Sequence, residues 1–130
     1  MIEPDLDVLH VVTALRQCGV GCYLATNQEP IRAAYMSEQL GYRELFDREF
    51  YSCRLGEAKP DAAYFRALLL GLDLPPEATL FLDDNVANVA SARAVGLHAE
   101  RFLVEAGRSQ LEQILAAYGL PAIPPDAPTA

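Results

Sequence analysis

Residues 79–96 read TLFLDDNVANVASARAVG, and this stretch decides the fold. It begins with a short apolar run, Thr79–Leu82, followed by two adjacent aspartates, and continues as a segment with helical spacing of its apolar residues, Val86–Val95. Asn85 is suited to cap the start of that helix, and Gly96 is suited to end it in the left-handed conformation. The stretch therefore predicts a buried strand, an acidic turn and a helix that packs on the strand.

The same succession of elements recurs along the rest of the chain. Further apolar runs predict strands at Gly21–Ala25, Glu49–Cys53 and His98–Phe102. Segments with helical periodicity lie between them, and the predicted helices are Leu9–Cys18, Ile31–Leu40, Asp61–Leu70, Val86–Val95 and Ser109–Tyr118. A glycine flanked by apolar residues follows each helix, at Gly19, Gly41, Gly71, Gly96 and Gly119. This alternation predicts an α/β fold, a Rossmann-like three-layer arrangement with helices on both faces of a parallel sheet.

Length and composition are typical of one packed domain, since 52% of the 130 residues are apolar. We assign residues 1–119 to that domain and expect residues 120–130, with four prolines and no periodicity, to be a disordered tail. The formal charge of −8 disfavours nucleic acid and anionic membranes as partners, and no apolar run approaches the ~18 residues of a membrane span. Three cysteines without a secretion signal are typical of a reduced, cytoplasmic protein.

Polar residues cluster where the predicted strands end. Thr26 and Asn27 follow the first strand, Asp83 and Asp84 follow the third, and Lys59 immediately precedes a proline that we expect to open a helix. Because ligands of open parallel sheets bind at the carboxyl ends of the strands, we expect these side chains at one edge. Mg²⁺ relieves the repulsion between adjacent carboxylates, and a lysine held at a helix N-terminus indicates an anion site. Together the groups fit a phosphate–Mg²⁺ complex.

Each of these residues also has a purely structural interpretation. A capping role alone would account for Asp84 or Asn85, since one capping residue suffices for a helix. Lys59 would then be a solvated surface residue, and Thr26 an ordinary turn residue. Only the combination of groups at one sheet edge distinguishes a ligand site from these alternatives.

Three stretches, in this order, resemble motifs of the haloacid dehalogenase superfamily, especially the branch with small-sugar phosphatases and the N-terminal domain of soluble epoxide hydrolases. They are Leu24-Ala25-Thr26-Asn27, Ala58-Lys59-Pro60-Asp61 and Leu80-Phe81-Leu82-Asp83-Asp84-Asn85, within a resemblance that runs from about Pro4 to Phe102. The resemblance implies that Thr26, assisted by Asn27, binds a phosphate oxygen. It implies that Lys59 offsets charge between phosphate and nucleophile. It further implies that Asp84, with Asp83 close by, holds Mg²⁺ in a loop containing Asn85 and Asn88.

The family's nucleophile motif, an apolar strand ending in Asp-x-Asp, has no clear counterpart. Asp5-Leu6-Asp7 copies its letters, but the four residues before it are too few and too polar for a buried strand. We therefore expect the N-terminal strand of the family core to be missing. The position between Gly21–Ala25 and Thr79–Leu82 would then be vacant. Direct pairing of those two strands, a second copy of the chain, or a missing N-terminal segment would fill it.

The resemblance implies a Mg²⁺-dependent phosphatase-type hydrolase acting on a small phosphorylated metabolite. Because the nucleophile motif is missing, we expect a truncated or catalytically incomplete form. The alternative is a non-catalytic module, derived from such a hydrolase, that binds phosphate and metal or another protein. The substrate and the choice between phosphatase and dehalogenase chemistry stay open, because the family's substrate-selecting cap is also missing.

Overall fold

The computed structural model describes residues 5–120, and nearly every predicted element is present. In chain order the helices are α1 (Leu6–Gln17), α2 (Pro30–Ala34), α3 (Tyr42–Leu45), α4 (Ser52–Leu55), α5 (Ala62–Leu72), α6 (Val86–Val95) and α7 (Gly107–Ala117). The strands are β1 (Tyr23–Thr26), β2 (Arg48–Tyr51), β3 (Leu80–Asp83) and β4 (His98–Arg101). A π-helical turn, Tyr35–Gln39, continues α2, and 3-10 turns at Pro76–Ala78 and Val104–Ala106 precede β3 and α7. None of the described helices combines the length and apolar character that crossing a membrane requires.

The strands form two parallel pairs. β1 pairs with β2, with Tyr23 opposite Arg48, and β3 pairs with β4, with Leu80 opposite His98. Within residues 5–120 no ladder joins β1 to β3, so the expected sheet is interrupted between them. Direct pairing of β1 with β3 is therefore not observed. It was one of the ways in which the predicted vacant position could be filled.

Helices cover both faces of the strands and hold the two pairs together. On one face α1, α3, α7 and the π-helical turn enclose an apolar cluster that contains Tyr51 of β2 and contacts Leu80 and Leu82 of β3. On the other face α5 and α6 enclose a second cluster that contains Phe50 of β2 and Phe81 of β3. Because each cluster takes side chains from both strand pairs, the predicted three-layer α/β arrangement is confirmed.

The two strands that flank the interruption are only partly buried. All four residues of β1 are half-buried, and so are Leu80 and Leu82 of β3, whereas Phe50 and Tyr51 of β2 are fully buried. A central strand of a parallel sheet covered on both faces is normally buried throughout. The partial exposure of β1 and β3 therefore indicates that each has an uncovered edge, and we call the space between them the inter-pair gap.

Two local predictions around α5 are wrong. Gly71 does not end the helix, because α5 continues to Leu72 and Asp73 adopts the left-handed conformation with φ 54°. A Cβ on Gly71 would lie 3.0 Å from the Phe50 ring, so the glycine permits close packing of α5 on β2. At the other end, Asp61 caps α5 by accepting a hydrogen bond from the Ala63 amide, and the proline before it lies outside the helix.

The N-terminal aspartates lie at the start of the first helix, which begins at Leu6 and not at Leu9 as predicted. Asp5 is the N-cap of α1, and its Oδ1 accepts a 3.0 Å hydrogen bond from the Val8 amide. Asp7 lies in the first turn of the same helix. Asp5-Leu6-Asp7 therefore lies at the start of a helix. At the other end of the chain, the side chain of Leu120 packs against the core, and its amide donates to the Leu115 carbonyl. The rest of the predicted tail lies outside the described residues.

Candidate functional site

Lys59 lies at the centre of the carboxyl edge, where it connects the two strand pairs. Its Nζ donates to the Ala25 carbonyl at the end of β1 and to Asp83 Oδ2 at the end of β3, each at 2.8 Å. The side chains of Lys59 and Asp83 are only 8% and 9% exposed, so this is a buried ion pair. The ammonium therefore spans the top of the inter-pair gap.

The dipole argument made from the sequence does not describe the surroundings of Lys59. α5 begins at Ala62, so Lys59 lies outside its first turn, and a carboxylate and a carbonyl hold the ammonium in place. The lysine is nevertheless close to the groups expected beside it. Its location at this edge is thus as predicted, for a different physical reason.

The side chain of Asn27 binds the main chain of Lys59 at two points. Asn27 Oδ1 accepts from the Lys59 amide at 3.0 Å, and Asn27 Nδ2 donates to the Lys59 carbonyl at 2.9 Å. This pairing joins the loop after β1 to the turn before α5. The two bonds fix the orientation of the Asn27 side chain and leave one N–H of Nδ2 without a bond to the Lys59 main chain.

The Thr26 hydroxyl is oriented by a neighbouring amide. Thr26 Oγ1 accepts a 3.0 Å hydrogen bond from Gln28 Nε2, and the Gln28 backbone amide donates to Ser52 Oγ at 3.0 Å. Because Thr26 Oγ1 is an acceptor in this contact, its own proton remains available for a phosphate oxygen. Gln28 and Ser52 were not predicted, and no motif in the sequence signals them.

Asp83 is fully engaged within the protein. Besides Lys59, it accepts from the Asn85 amide at 2.9 Å and from Asn88 Nδ2 at 3.1 Å. Burial opposes ionisation, but the hydrogen bonds from these residues and the charge of Lys59 outweigh it, so the pKa of Asp83 lies below its ordinary value. Asp83 is therefore a carboxylate that orders the loop, with Asn85 also capping α6 through the Asn88 amide.

Asp84 contrasts with its neighbour because its side chain is exposed and accepts no hydrogen bond from the described residues. Its backbone carbonyl is held by Arg101 Nε at 2.9 Å, from the end of β4. Arg101 places a second cationic side chain at this edge, and sequence reasoning missed it because its contact with Asp84 is not local in the chain. Asp84 is thus a positioned carboxylate that is free to bind a cation.

The fit to Mg²⁺ is that of an incomplete site. Within residues 5–120 no group of three His, Cys, Asp or Glu side chains is placed to hold a metal ion. Mg²⁺ often takes only one or two carboxylates, with waters and phosphate oxygens completing an octahedron. Asp84 fits that role better than Asp83, whose oxygens are already bonded to Lys59, Asn85 and Asn88.

Tyr64 lies beneath the site and was also missed. Its side chain is fully buried, and its hydroxyl donates to the Phe50 carbonyl at 2.7 Å. Burial, helped by the nearby Asp83 carboxylate, raises the pKa of the Tyr64 phenol, so the group stays neutral. Tyr64 thus holds the end of β2, which lies next to Thr26. The sequence shows Tyr64 only as part of the apolar face of a helix, so it does not predict this hydrogen bond.

Two surface grooves flank the fold at opposite edges. A depression of about 720 Å³ adjoins the site, and its lining includes Asn27, Pro30, Cys53 and Ala58. A groove of about 1000 Å³ lies at the amino edge of β1 and β2, where Arg16 and Arg48 contribute to its lining. The predicted site residues thus meet at the carboxyl edge, away from the larger groove.

Comparison with known proteins agrees with this geometry. A sesquiterpene phosphatase of Aspergillus oryzae is 32% identical over 97 residues, which cover 74% of this chain and 49% of the phosphatase. An uncharacterised protein of Corynebacterium glutamicum has a TM-score of 0.73 at 25% identity, covering 92% of this chain and 88% of that one. The chain spans at most about half the length of the curated relatives it matches.

A further solved structure shares the fold and carries ligands of its own. It is an enzyme of the same superfamily from Bacteroides thetaiotaomicron, in complex with magnesium and inorganic phosphate. It is 22% identical to this chain with a TM-score of 0.66, and the match covers 82% of this chain and 55% of the enzyme. The sequence model of haloacid dehalogenase-like hydrolases matches residues 1–96, and the chain therefore belongs to the haloacid dehalogenase-like hydrolase family.

Proposed function

We propose that this chain supplies the phosphate-binding and magnesium-binding part of a phosphatase that acts on a small phosphorylated metabolite. One observation carries the proposal, namely the Lys59 ammonium held 2.8 Å from both the end of β1 and Asp83. That contact brings Thr26, Lys59 and Asp84 to one edge, where a phosphate needs a hydroxyl, a cation and a metal carboxylate. The relative that is a phosphatase supports the same class of reaction.

The described residues divide the work of binding. The Thr26 hydroxyl, which already accepts from Gln28, donates its proton to a phosphate oxygen. Lys59 balances negative charge between the phosphate and an attacking carboxylate, and the Asn27 amide holds Lys59 in place. Asp84, with Asp83 beside it, would hold Mg²⁺, whose contribution is to stabilise charge on the phosphate oxygens.

The nucleophile is the part that these residues do not provide. The sequence contains one Asp-x-Asp, and both of its aspartates lie at the start of α1. A strand that entered the inter-pair gap would pair with β1 and β3, and its carboxyl end would lie beside Lys59. We therefore assign the attacking carboxylate to a segment other than these 130 residues, either a further segment of the same protein or another chain.

A second candidate function is a non-catalytic module that binds phosphate and metal. It is favoured by the location of Asp5 and Asp7 at the start of α1, which leaves the site without a nucleophilic carboxylate from an Asp-x-Asp among the described residues. Such a module would bind both ligands without hydrolysing a phosphate ester. The two functions differ in turnover and not in binding.

The test combines calorimetry with an activity assay on the 130-residue chain. Mg²⁺ and inorganic phosphate should bind, and Asp84→Asn should weaken Mg²⁺ binding. p-Nitrophenyl phosphate should be hydrolysed no faster by the chain than by Asp84→Asn, because a phospho-enzyme route needs the absent nucleophile. Turnover that depends on Asp84 would show that the chain contains its own nucleophile, and failure to bind either ligand would refute the site.

A further inference from the structure

Arg101 carries a guanidinium group that is anchored at one atom and open at the others. Its Nε donates to the Asp84 carbonyl at 2.9 Å, and its place at the end of β4 lies opposite Asp83 in the ladder with β3. Within residues 5–120 its Nη1 and Nη2 form no hydrogen bond and no ion pair. Four of the five N–H donors of the group are therefore available to a ligand.

Arg93 shows what a fully partnered guanidinium looks like in the same part of the fold. Its Nε also donates to a main-chain carbonyl, that of Ala99 at 2.9 Å, but its Nη2 then pairs with Glu100 at 3.4 Å. Glu100 precedes Arg101 in the sequence, yet adjacent residues of a strand point to opposite faces, and Glu100 binds Arg93 and Tyr118 instead. The fold thus supplies a carboxylate to Arg93 and none of the described carboxylates to Arg101, although the chain has 18 acidic and only 10 basic residues.

The anchor also fixes the direction of the open donors. In a planar guanidinium the Nε–H and one Nη N–H leave the same side in parallel, which is the geometry that binds carboxylates and phosphates through two bonds. Because the Nε–H of Arg101 is directed at the Asp84 carbonyl, the parallel Nη N–H points along the loop that carries the Asp84 carboxylate. Arg101 therefore presents cationic donors beside the residue that is proposed to hold Mg²⁺.

Arg101 approaches the site from the side of β3 that is opposite Lys59. The Lys59 ammonium spans the inter-pair gap between β1 and β3, whereas β4 pairs with the other edge of β3. The charge of Lys59 is already compensated by Asp83, while that of Arg101 has no such partner among the described residues. An anionic group held by Arg101 would thus lie to one side of a phosphate bound at Thr26 and Lys59.

A ligand that uses both cations has two anionic groups. We propose that Arg101 binds a second anionic group of the substrate, a carboxylate or a further phosphate, while the reacting phosphate lies at Thr26 and Lys59. A substrate with a neutral group at this position would leave the guanidinium without the charge-assisted bonds for which its open donors are suited. This inference rests on the proposed function and specifies its substrate class.

Calorimetry on the 130-residue chain in the presence of Mg²⁺ tests the inference with three-carbon probes. Glycerol 3-phosphate ends in a hydroxymethyl group, 3-phosphoglycerate has a carboxylate in its place, and glycerol 1,3-bisphosphate carries a second phosphate. At least one of the two doubly anionic probes should bind about fivefold more tightly than glycerol 3-phosphate, as a well-formed charge pair at an exposed position would give. Arg101→Gln should abolish this preference and keep glycerol 3-phosphate binding near that of the wild type, and Arg101→Lys should retain part of the preference.

Arg66→Gln is the matched control, because Arg66 is exposed on α5 and forms no hydrogen bond or ion pair with residues 5–120. It removes the same charge and should leave the affinities for all probes unchanged. Titration with Mg²⁺ alone distinguishes ligand binding from a structural role. Arg101→Gln removes a positive charge near Asp84 and should not weaken Mg²⁺ binding, whereas disorder of the Asp84 loop would weaken it.

Three results would overturn the inference. They are equal affinity of the wild type for all three probes, an equal loss of the preference in Arg66→Gln and Arg101→Gln, and weaker binding of Mg²⁺ together with every probe in Arg101→Gln. Failure of inorganic phosphate itself to bind to the wild type would instead refute the proposed function. The two failures are therefore distinguishable.

Discussion

Replacing Lys59 by methionine removes the central charge of the site while keeping most of the side-chain volume. In the wild type the ammonium contacts Asp83 Oδ2 and the Ala25 carbonyl, each at 2.8 Å, and both partners of the ion pair are more than 90% buried. Removing one partner of a buried pair typically costs about 3–5 kcal/mol, because the other charge is left without compensation. Asn85 and Asn88 still donate to Asp83 in the variant. We therefore expect the free energy of unfolding of Lys59→Met to be about 3 kcal/mol lower than that of the wild type at pH 7.

The loss should depend on pH in a defined direction. In the wild type the pKa of Asp83 lies below its unfolded value. The ion pair therefore stabilises the fold fully above about pH 4, and this stabilisation is lost as the pH falls through the pKa of folded Asp83. In Lys59→Met burial is no longer balanced by the ammonium, so the pKa of Asp83 rises. The variant's deficit should therefore be largest near neutral pH and should shrink in acid, where Asp83 takes up a proton.

Urea unfolding followed by circular dichroism at pH 7 and at pH 4.5 measures this difference. Arg108→Met is the control, because the Arg108–Glu112 pair is 40% and 44% exposed and should contribute below about 0.5 kcal/mol. A loss in Lys59→Met no larger than in the control, or one that grows towards acid, would refute the reasoning about the buried pair.

Three further outcomes follow from the same contacts. Tyr64→Phe should lower the free energy of unfolding by about 1–2 kcal/mol in urea titrations, because the buried Phe50 carbonyl loses its 2.7 Å donor; an unchanged midpoint would contradict this. Asp84→Asn should weaken Mg²⁺ binding in calorimetry and leave stability intact, whereas Asp83→Asn should lower stability, and the reverse pattern would exchange their roles. The uncovered edges of β1 and β3 predict self-association in ultracentrifugation or a marginal, aggregation-prone monomer, so a monodisperse monomer melting cooperatively above about 65 °C would argue against an open gap.

Local signals in the sequence located the strands and most helices because each depends on a few adjacent residues. The α6 segment is the clearest case, since Asn85 and Gly96 mark its ends and the structure gives Val86–Val95 as predicted. Gly71 shows the limit of such signals. Glycine serves both to end helices and to permit close packing, and only the position of Phe50, 21 residues earlier, distinguishes the two.

The polar site was predictable as a set of residues but not as a set of contacts. The carboxyl-edge rule predicts from the sequence alone that Thr26, Lys59 and Asp83 lie together. It does not distinguish the roles of Asp83 and Asp84, because these roles depend on how deeply each carboxylate is buried and on which groups donate hydrogen bonds to it. Arg101 was missed for the same reason, since its contact with the Asp84 carbonyl joins residues that are far apart in the chain.

The pairing of the Asn27 amide with the Lys59 main chain bears on the thermodynamics of ligand capture. Two hydrogen bonds of 2.9 and 3.0 Å hold the loop after β1 against the turn before α5. An anion bound at the proposed site would then meet the Thr26 hydroxyl and the Lys59 ammonium at a separation that folding has already set. Ordering a flexible side chain at the moment of binding costs about 0.5–1.5 kcal/mol, and this edge largely avoids that loss. Phosphate association should accordingly carry only a small conformational-entropy penalty.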